Sequence, residues 1–492
     1  MNESAQHHIP YPAVEKFKIR RSFKNCEMQG SEKIQGARCI RAYISGLDYF
    51  ADAADRRFGA ACYEEILHAI AMDAHACGAE PWDAPPVSSD YIDQPMTSSS
   101  HPPLACATQE FSNRKPRSPR MNEKRQINAT ILRQLFETKA IRLEPGAIFG
   151  YELAPKEPDF DFDRVEGMLL GAAIGDSLGN TSESRLPLAR RQIHGEIRDY
   201  LISDRADRAM GYPSDDTQLT FWTLEQLIED KGEFIPEHLA RKFADSGRIY
   251  GIGRTVKGFL DAFKSGRPWY ESGPHSAGNG ALMRIAPMLI PHLRHGGTDI
   301  WTDTALSAMM THNDHASTSS CLAFTAMLWE LLDMKTAPES AWWPERYAAL
   351  AADLQGTIGY APRSGCMKYS FDGPLHQFVS EKLAWAYGEN LSVIEACEIW
   401  HSGAYLLETV PSVLYILMRH AHDPEEALIR AVNDTMDNDT VASIVGAAVG
   451  ALHGRKGLPH RWIEGLTGRT RGTDDGQVFR LISRARQEFW EK

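Results

Sequence analysis

Two acidic stretches stand at the mouths of apolar helical patterns. The run GYPSDDTQLTFW sets Asp215 beside Asp216, between Ser214 and Thr217. The run AVNDTMDNDTVASIVG sets Asp434, Asp437 and Asp439 ahead of Thr440. A helix start accepts one such residue readily. Ser, Asp or Thr can take a hydrogen bond from a free N–H, and negative charge suits the helix dipole. Capping therefore accounts for one aspartate at each start. The remaining carboxylates repel one another unless a positive charge lies between them. Oxygen donors of the Asp, Ser and Thr kind suit a hard cation, Mg²⁺ or Mn²⁺. Two such cations, shared by the clusters, would relieve the repulsion, polarise hydroxyls of a ligand and lower the pKa of a water. No Cys or His falls at a spacing that suits zinc.

Two further segments have the makings of ligand contacts. HSAGNGALMRIAPM places Ser276, Ala277, Gly278, Asn279 and Gly280 ahead of a helix expected to start near Ala281. Exposed N–H groups at such a start can cradle phosphate, although an ordinary turn reads the same way. MMTHNDHASTSS carries His312, Asp314 and His315 between helical stretches, where a loop or core histidine is the plain alternative.

The elements that must hold these residues are helices. From Arg164 onward, helical patterns follow one another, joined by Gly, Pro and Asp-rich loops, with no run of alternating strands. After the first acidic stretch, Leu219, Trp222, Leu224, Leu227 and Ile228 are the apolar positions. Glycines at 167, 171, 175 and 179 share one helical face, where a second helix can come close. Gly446 and Gly450 lie within a similar apolar pattern. The expectation is an all-α domain over 161–492, preceded by a connecting helix at 122–139 within 121–160. Residues 85–120 read as a Pro/Ser-rich linker with a basic end, and residues 1–84 as a partly helical extension of uncertain fold.

Composition narrows the partners. The formal net charge of −12 argues against broad nucleic-acid binding. The 8 cysteines form no CxxC pair, which points to reduced thiols and a cytoplasmic protein. The first residues lack a basic stretch followed by an apolar core, so no signal peptide is expected. The apolar run 441–452 is too short to span a bilayer, so no membrane partner is expected.

Taken together, GMLLGAAIGDSLGNTSE, SDDTQLTFWTLEQLIE, GNGALMRIAPM, MTHNDHAS and MDNDTVASIVGAAVGALHG resemble the ADP-ribosylglycohydrolases. That family includes the dinitrogenase reductase-activating glycohydrolase and the ADP-ribosyl-acceptor hydrolases. The motifs keep the family's order, and the resemblance does not reach residues 1–150. It implies a compact all-α domain with a binuclear Mg²⁺ or Mn²⁺ centre. By match to the first acidic motif, Ser214, Asp215 and Asp216 are metal ligands. By match to the second, so are Asp437, Asp439 and Thr440. That second motif usually reads Gly-Asp-Thr-Asp-Thr. Here Met436-Asp437-Asn438-Asp439-Thr440 keeps the liganding positions and changes the flanking Gly and the middle Thr. Glu183 matches a glutamate on a mobile loop over the metals, with an exposed loop glutamate as the plain alternative. Ser276 to Gly280 match the diphosphate loop, and His312 matches a ligand-contacting histidine.

The implied reaction is hydrolysis of the bond between C1″ of ADP-ribose and its acceptor, arginine before others. Asp216, Asp439 or Glu183 would help to deprotonate the attacking water. Serine, nucleic acid and O-acetyl-ADP-ribose are the alternative acceptors. The implied partner is an ADP-ribosylated protein. The likeness extends to bacterial immunity proteins, which adds an ADP-ribosyltransferase toxin as a partner. In that alternative the N-terminal extension blocks the toxin without catalysis.

Overall fold

Glycines recurring every fourth residue line one face of an α-helix, and here that face sets the central packing. The computed structural model describes residues 121–202, 208–363 and 370–491. The extension 1–84, the linker 85–120 and the toxin-blocking role assigned to them lie outside the described residues. The helices used below are α1 (Met121–Glu137), α2 (Asp163–Asn180), α3 (Pro187–His194), α4 (Asp215–Glu229) and α5 (Arg254–Lys264). After them come α6 (Asp299–Thr311), α7 (His315–Leu331), α8 (Val393–Trp400), α9 (Leu406–His420), α10 (Pro424–Asp434) and α11 (Asn438–His453). All lie in one compact unit.

The glycine face of α2 lies directly on α11. A Cβ at Gly171 would sit 2.0 Å from the Gly446 carbonyl oxygen, and one at Gly175 2.0 Å from that of Ala442. Gly167 meets Gly450 in the same way at 2.4 Å. The neighbours are backbone atoms, which cannot step aside, so alanine at these positions separates the helices despite its better helix propensity. One turn further on, a Cβ at Gly179 would lie 2.5 Å from the Asp439 Cα. The same close contact thus carries the end of α2 to the start of α11, where the acidic stretch begins.

Both helices, and α4 beside them, are buried on every side. That is the behaviour of helices that are apolar all round and form the middle of a domain. Leu219, Phe221, Trp222 and Leu224 of α4 are fully enclosed. Among the described residues, extended pairing is limited to isolated bridges such as Leu153 with Gly297 and Gly278 with Tyr405. The fold is all-α, as the periodicity and the resemblance predict.

Two local expectations change. The helix expected from Ala281 is replaced by 3₁₀ turns at Leu282–Arg284 and Ala286–His292. Pro287 and Pro291 have no N–H to donate, so an α-helical ladder cannot run through them. The connecting helix forms as α1 and docks on the domain. There Asn128 Nδ2 donates to Asp303 Oδ1 at 2.9 Å and to the Phe234 carbonyl at 2.8 Å. No helix among the described residues is long and apolar enough to cross a membrane.

Candidate metal centre and active site

Ser214 occupies the N-cap of α4 with extended backbone, yet its side chain does not cap that helix. Its Oγ instead donates to Asp176 Oδ1 at 2.7 Å. Asp176 comes from α2 and is wholly buried. Its carboxylate also accepts the Ser214 N–H at 2.9 Å, the Thr217 N–H at 3.0 Å and the Thr217 hydroxyl at 2.5 Å. An aspartate from another helix thereby satisfies the start of α4. That leaves the Asp216 carboxylate with no bond to the helix backbone, and Asp215 with none beyond its own N–H. Sequence reasoning did not single out Asp176. The available signal was its place as the one charged residue within GMLLGAAIGDSLG.

At the start of α11 the N-cap residue again turns away from its helix. Asp437 is at the N-cap and makes no side-chain cap. Its Oδ2 accepts from Asn279 Nδ2 at 2.6 Å. Asp439 Oδ1 accepts the Thr440 N–H at 2.8 Å, and Thr440 Oγ1 donates to Asp216 Oδ2 at 3.2 Å. The two distant acidic stretches are therefore in contact. Asp176, Asp216 and Asp439 each present an oxygen within 4.8 Å of the others, and so do Glu183, Asp437 and Asp439. Asp439 belongs to both groups. Asp215 stands beside them, its Oδ1 2.9 Å from where a Cβ on Gly251 would fall. Asp434 does not join. It lies at the end of α10 and pairs with Arg430 at 3.1 Å.

Electrostatics tests whether cations fit. Burial drives the carboxyls of Asp215, Asp216 and Asp439 well above the usual carboxylate range, and their mutual repulsion adds to it. Asp176 and Asp437 move up for the same first reason, held back by the hydrogen bonds they accept. Asp216 Oδ1 is buried with no hydrogen-bond partner. A buried, unpaired carboxylate oxygen is costly unless a proton or cation meets it. An all-oxygen donor set of carboxylates and hydroxyls suits a hard divalent ion, so the residues present fit such a group.

Glu183 lies at the mouth, on the turn after α2, and is exposed. Desolvation, then Asp437 and Asp176, pushes its carboxyl up from 4.5 to about 7. Its contact with water offsets part of that push, and a cation among the aspartates would reverse it.

The small-residue loop is tied to this centre through Asn279, whose side chain reaches both Asp437 and, at 3.1 Å, Thr409 Oγ1. The Asn279 N–H goes to the Ala404 carbonyl at 3.0 Å, and the Gly278 N–H to Ser276 Oγ at 3.3 Å. The N–H groups of 278 and 279 are thus engaged within the protein. Ser276 also pairs with Thr255, at the start of α5, at 3.0 Å. His312 is buried beneath the loop. A Cβ at Gly280 would lie 3.1 Å from its Nε2, and one at Gly278 3.4 Å away. Burial, and then the Arg284 guanidinium, lowers the His312 pKa to about 3. The imidazole is therefore neutral and acts by hydrogen bonding. Its Nδ1 pairs with Thr311 Oγ1 at 3.0 Å. Asp314 is a working cap of α7 and also accepts from Tyr360 at 2.9 Å. His315 faces Glu144.

The central helices of this all-α domain open on a buried, all-oxygen acidic centre that could hold a metal ion. Residues 157–490 match the family model described as ADP-ribosylglycohydrolase, and the chain belongs to that family of enzymes. It is 26% identical to the ADP-ribosylarginine hydrolase Tri1 of Pseudomonas putida over 318 residues, covering 62% of this chain and 75% of that protein. It is 25% identical over 314 residues to the ADP-ribosyl-dinitrogen reductase glycohydrolase of Rhodospirillum rubrum, covering 62% and 90%. The ADP-ribosylhydrolase ARH3 of Xenopus tropicalis is 24% identical over 324 residues, covering 61% and 89%.

Proposed function

We propose that this enzyme removes ADP-ribose from arginine side chains of mono-ADP-ribosylated proteins, with two Mg²⁺ or Mn²⁺ ions at the acidic centre. The observation that carries the reading is Asp439, shared by two carboxylate groups where α2, α4 and α11 meet. A shared carboxylate is what a two-cation site requires. Ser214, Asp215, Asp216, Asp437, Asp439 and Thr440 would hold the ions, together with Asp176. When bound, the ions would supply positive charge that polarises ribose hydroxyls and makes a water more acidic.

The chain's own groups do the rest. Ser276–Gly280 and the neutral His312 would hold the diphosphate and thereby place the distal ribose over the aspartates. Asn279 couples that loop to Asp437. Glu183, Asp216 or Asp439 would take the proton of the water that attacks C1″. Carboxylates around C1″ favour the positive charge that develops as the glycosidic bond breaks. The arginine acceptor is a strong base that already carries its proton as a guanidinium, so it leaves as neutral guanidine and needs little acid assistance. The names of the Pseudomonas relative and of its Serratia proteamaculans counterpart favour arginine over other acceptors.

The test is an acceptor panel. Proteins ADP-ribosylated on arginine or on serine, and O-acetyl-ADP-ribose, are offered to the full chain with Mg²⁺, and released ADP-ribose is measured. Turnover of the arginine-linked substrate ahead of the others supports the assignment. Turnover of serine-linked or O-acetyl substrate alone moves the acceptor, and no turnover of any substrate rejects the reading.

A further inference from the structure

Arg190, on α3, is fully buried and has no carboxylate partner among its hydrogen bonds. Its guanidinium spends its donors on backbone carbonyls of two segments. On one side, Nε reaches the Ser182 carbonyl at 3.4 Å and Nη2 the Arg185 carbonyl at 2.9 Å. These residues flank Glu183. On the other side, Nη1 reaches the carbonyls of Val432 at 3.0 Å and Thr435 at 2.7 Å, and Nη2 that of Met436 at 3.3 Å. These lie at the end of α10 and immediately before Asp437. The last carbonyls of a helix lack partners and carry its negative dipole end, so they can offset a buried cation.

A second residue makes the same link. Asn438 stands where the family's second acidic motif usually has Thr. Its Nδ2 donates to the Gly179 carbonyl at 3.2 Å, to Ser182 Oγ at 3.1 Å and to the Val432 carbonyl at 3.2 Å. A threonine hydroxyl, with one proton, cannot make that set. Between the two anchors the turn is under strain, because Ser184 adopts a left-handed φ of 64°.

We infer that Arg190, assisted by Asn438, is the positioning residue that locks the Glu183 turn onto the second acidic stretch. It sets the Glu183 carboxylate against Asp437 and Asp439 without touching substrate. The inference rests on the reading of Glu183 as part of the centre. Only a planar fork of several donors serves both segments at once, so lysine cannot replace it.

The test compares Arg190→Lys, Asn438→Thr and Glu183→Gln in the full chain. Amide hydrogen exchange over 182–186 should rise at least about tenfold in Arg190→Lys, well beyond any rise in α4 and α9, which Arg190 does not hydrogen-bond. Mn²⁺ affinity and kcat should each fall about tenfold, KM staying put. Asn438→Thr should do the same to a smaller extent, and it answers for the turn if Arg190→Lys does not fold. In a Glu183→Gln background, Arg190→Lys should add less than about twofold to either loss, because both changes remove one function. Unchanged exchange over 182–186, or a full tenfold loss added on top of Glu183→Gln, would overturn the inference. The exchange arm needs neither substrate nor metal, so it judges Arg190 independently of the arginine assignment.

Discussion

Two kinds of helix start among the described residues bear on the site. At α7, α8 and α10 the residue before the helix caps it: Asp314, Ser392 and Asp423 each accept from backbone N–H groups of their own helix. At α4 and α11 the corresponding residues, Ser214 and Asp437, do not. Their side chains turn instead toward Asp176 and Asn279. Crowding buried carboxylates is costly. Among the described residues that crowding falls where the two acidic stretches meet. The comparison teaches how two helix starts of similar composition differ. In the first the oxygen serves its own backbone. In the second the N-cap side chain turns to another element, and at α4 an aspartate of α2 serves the backbone instead.

The largest effect expected from this contrast is on turnover. Asp216→Ala or Asp439→Ala should lower ADP-ribose release about 10³-fold or more, measured on arginine-linked substrate. Loss of less than tenfold at both positions would place these oxygens outside the chemistry. Next comes stabilisation by ions. At a hundredfold excess over its Kd, Mn²⁺ should add about 2.7 kcal/mol to unfolding free energy for each ion bound in the wild type. In Asp439→Ala that gain should vanish in a calorimetric melt.

The metal-free chain should also respond to pH in a defined direction. Glu183, with Asp215, Asp216 and Asp439, binds its proton more tightly in the folded state than unfolded. The folded state therefore holds more protons, and stability falls as pH rises. For Glu183 the contribution is complete below 4.5 and lost through about 7. Thermal midpoints across that range should drop without metal and flatten with saturating Mg²⁺. A rising midpoint would contradict the repulsion. The smallest effect belongs to the ordinary caps. Asp423→Ala should cost about 1 kcal/mol of stability and leave Mn²⁺ affinity untouched.

Much of this was legible in the chain itself. The fourfold glycine spacing announced a close helix pair, and α2 on α11 is that pair. The doubled aspartates announced oxygens beyond those a cap uses, and the two stretches do meet through Thr440 and Asp216. Three things were not legible. Asp176 hides in an apolar helix, and its pairing with Ser214 depends on packing that no local pattern encodes. Asp434 looked like part of the cluster because it is near in sequence, but α10 ends there and turns it toward Arg430. Arg190 offered no sign at all, since its partners are carbonyls, which every residue has.

The most direct test is a calorimetric titration of Mn²⁺ into the metal-stripped full chain, alongside Asp439→Ala. The account predicts two equivalents bound by the wild type, and neither retained at comparable affinity by the variant, because Asp439 serves both carboxylate groups. Absence of binding by the wild type, or unaltered binding by Asp439→Ala, would contradict it.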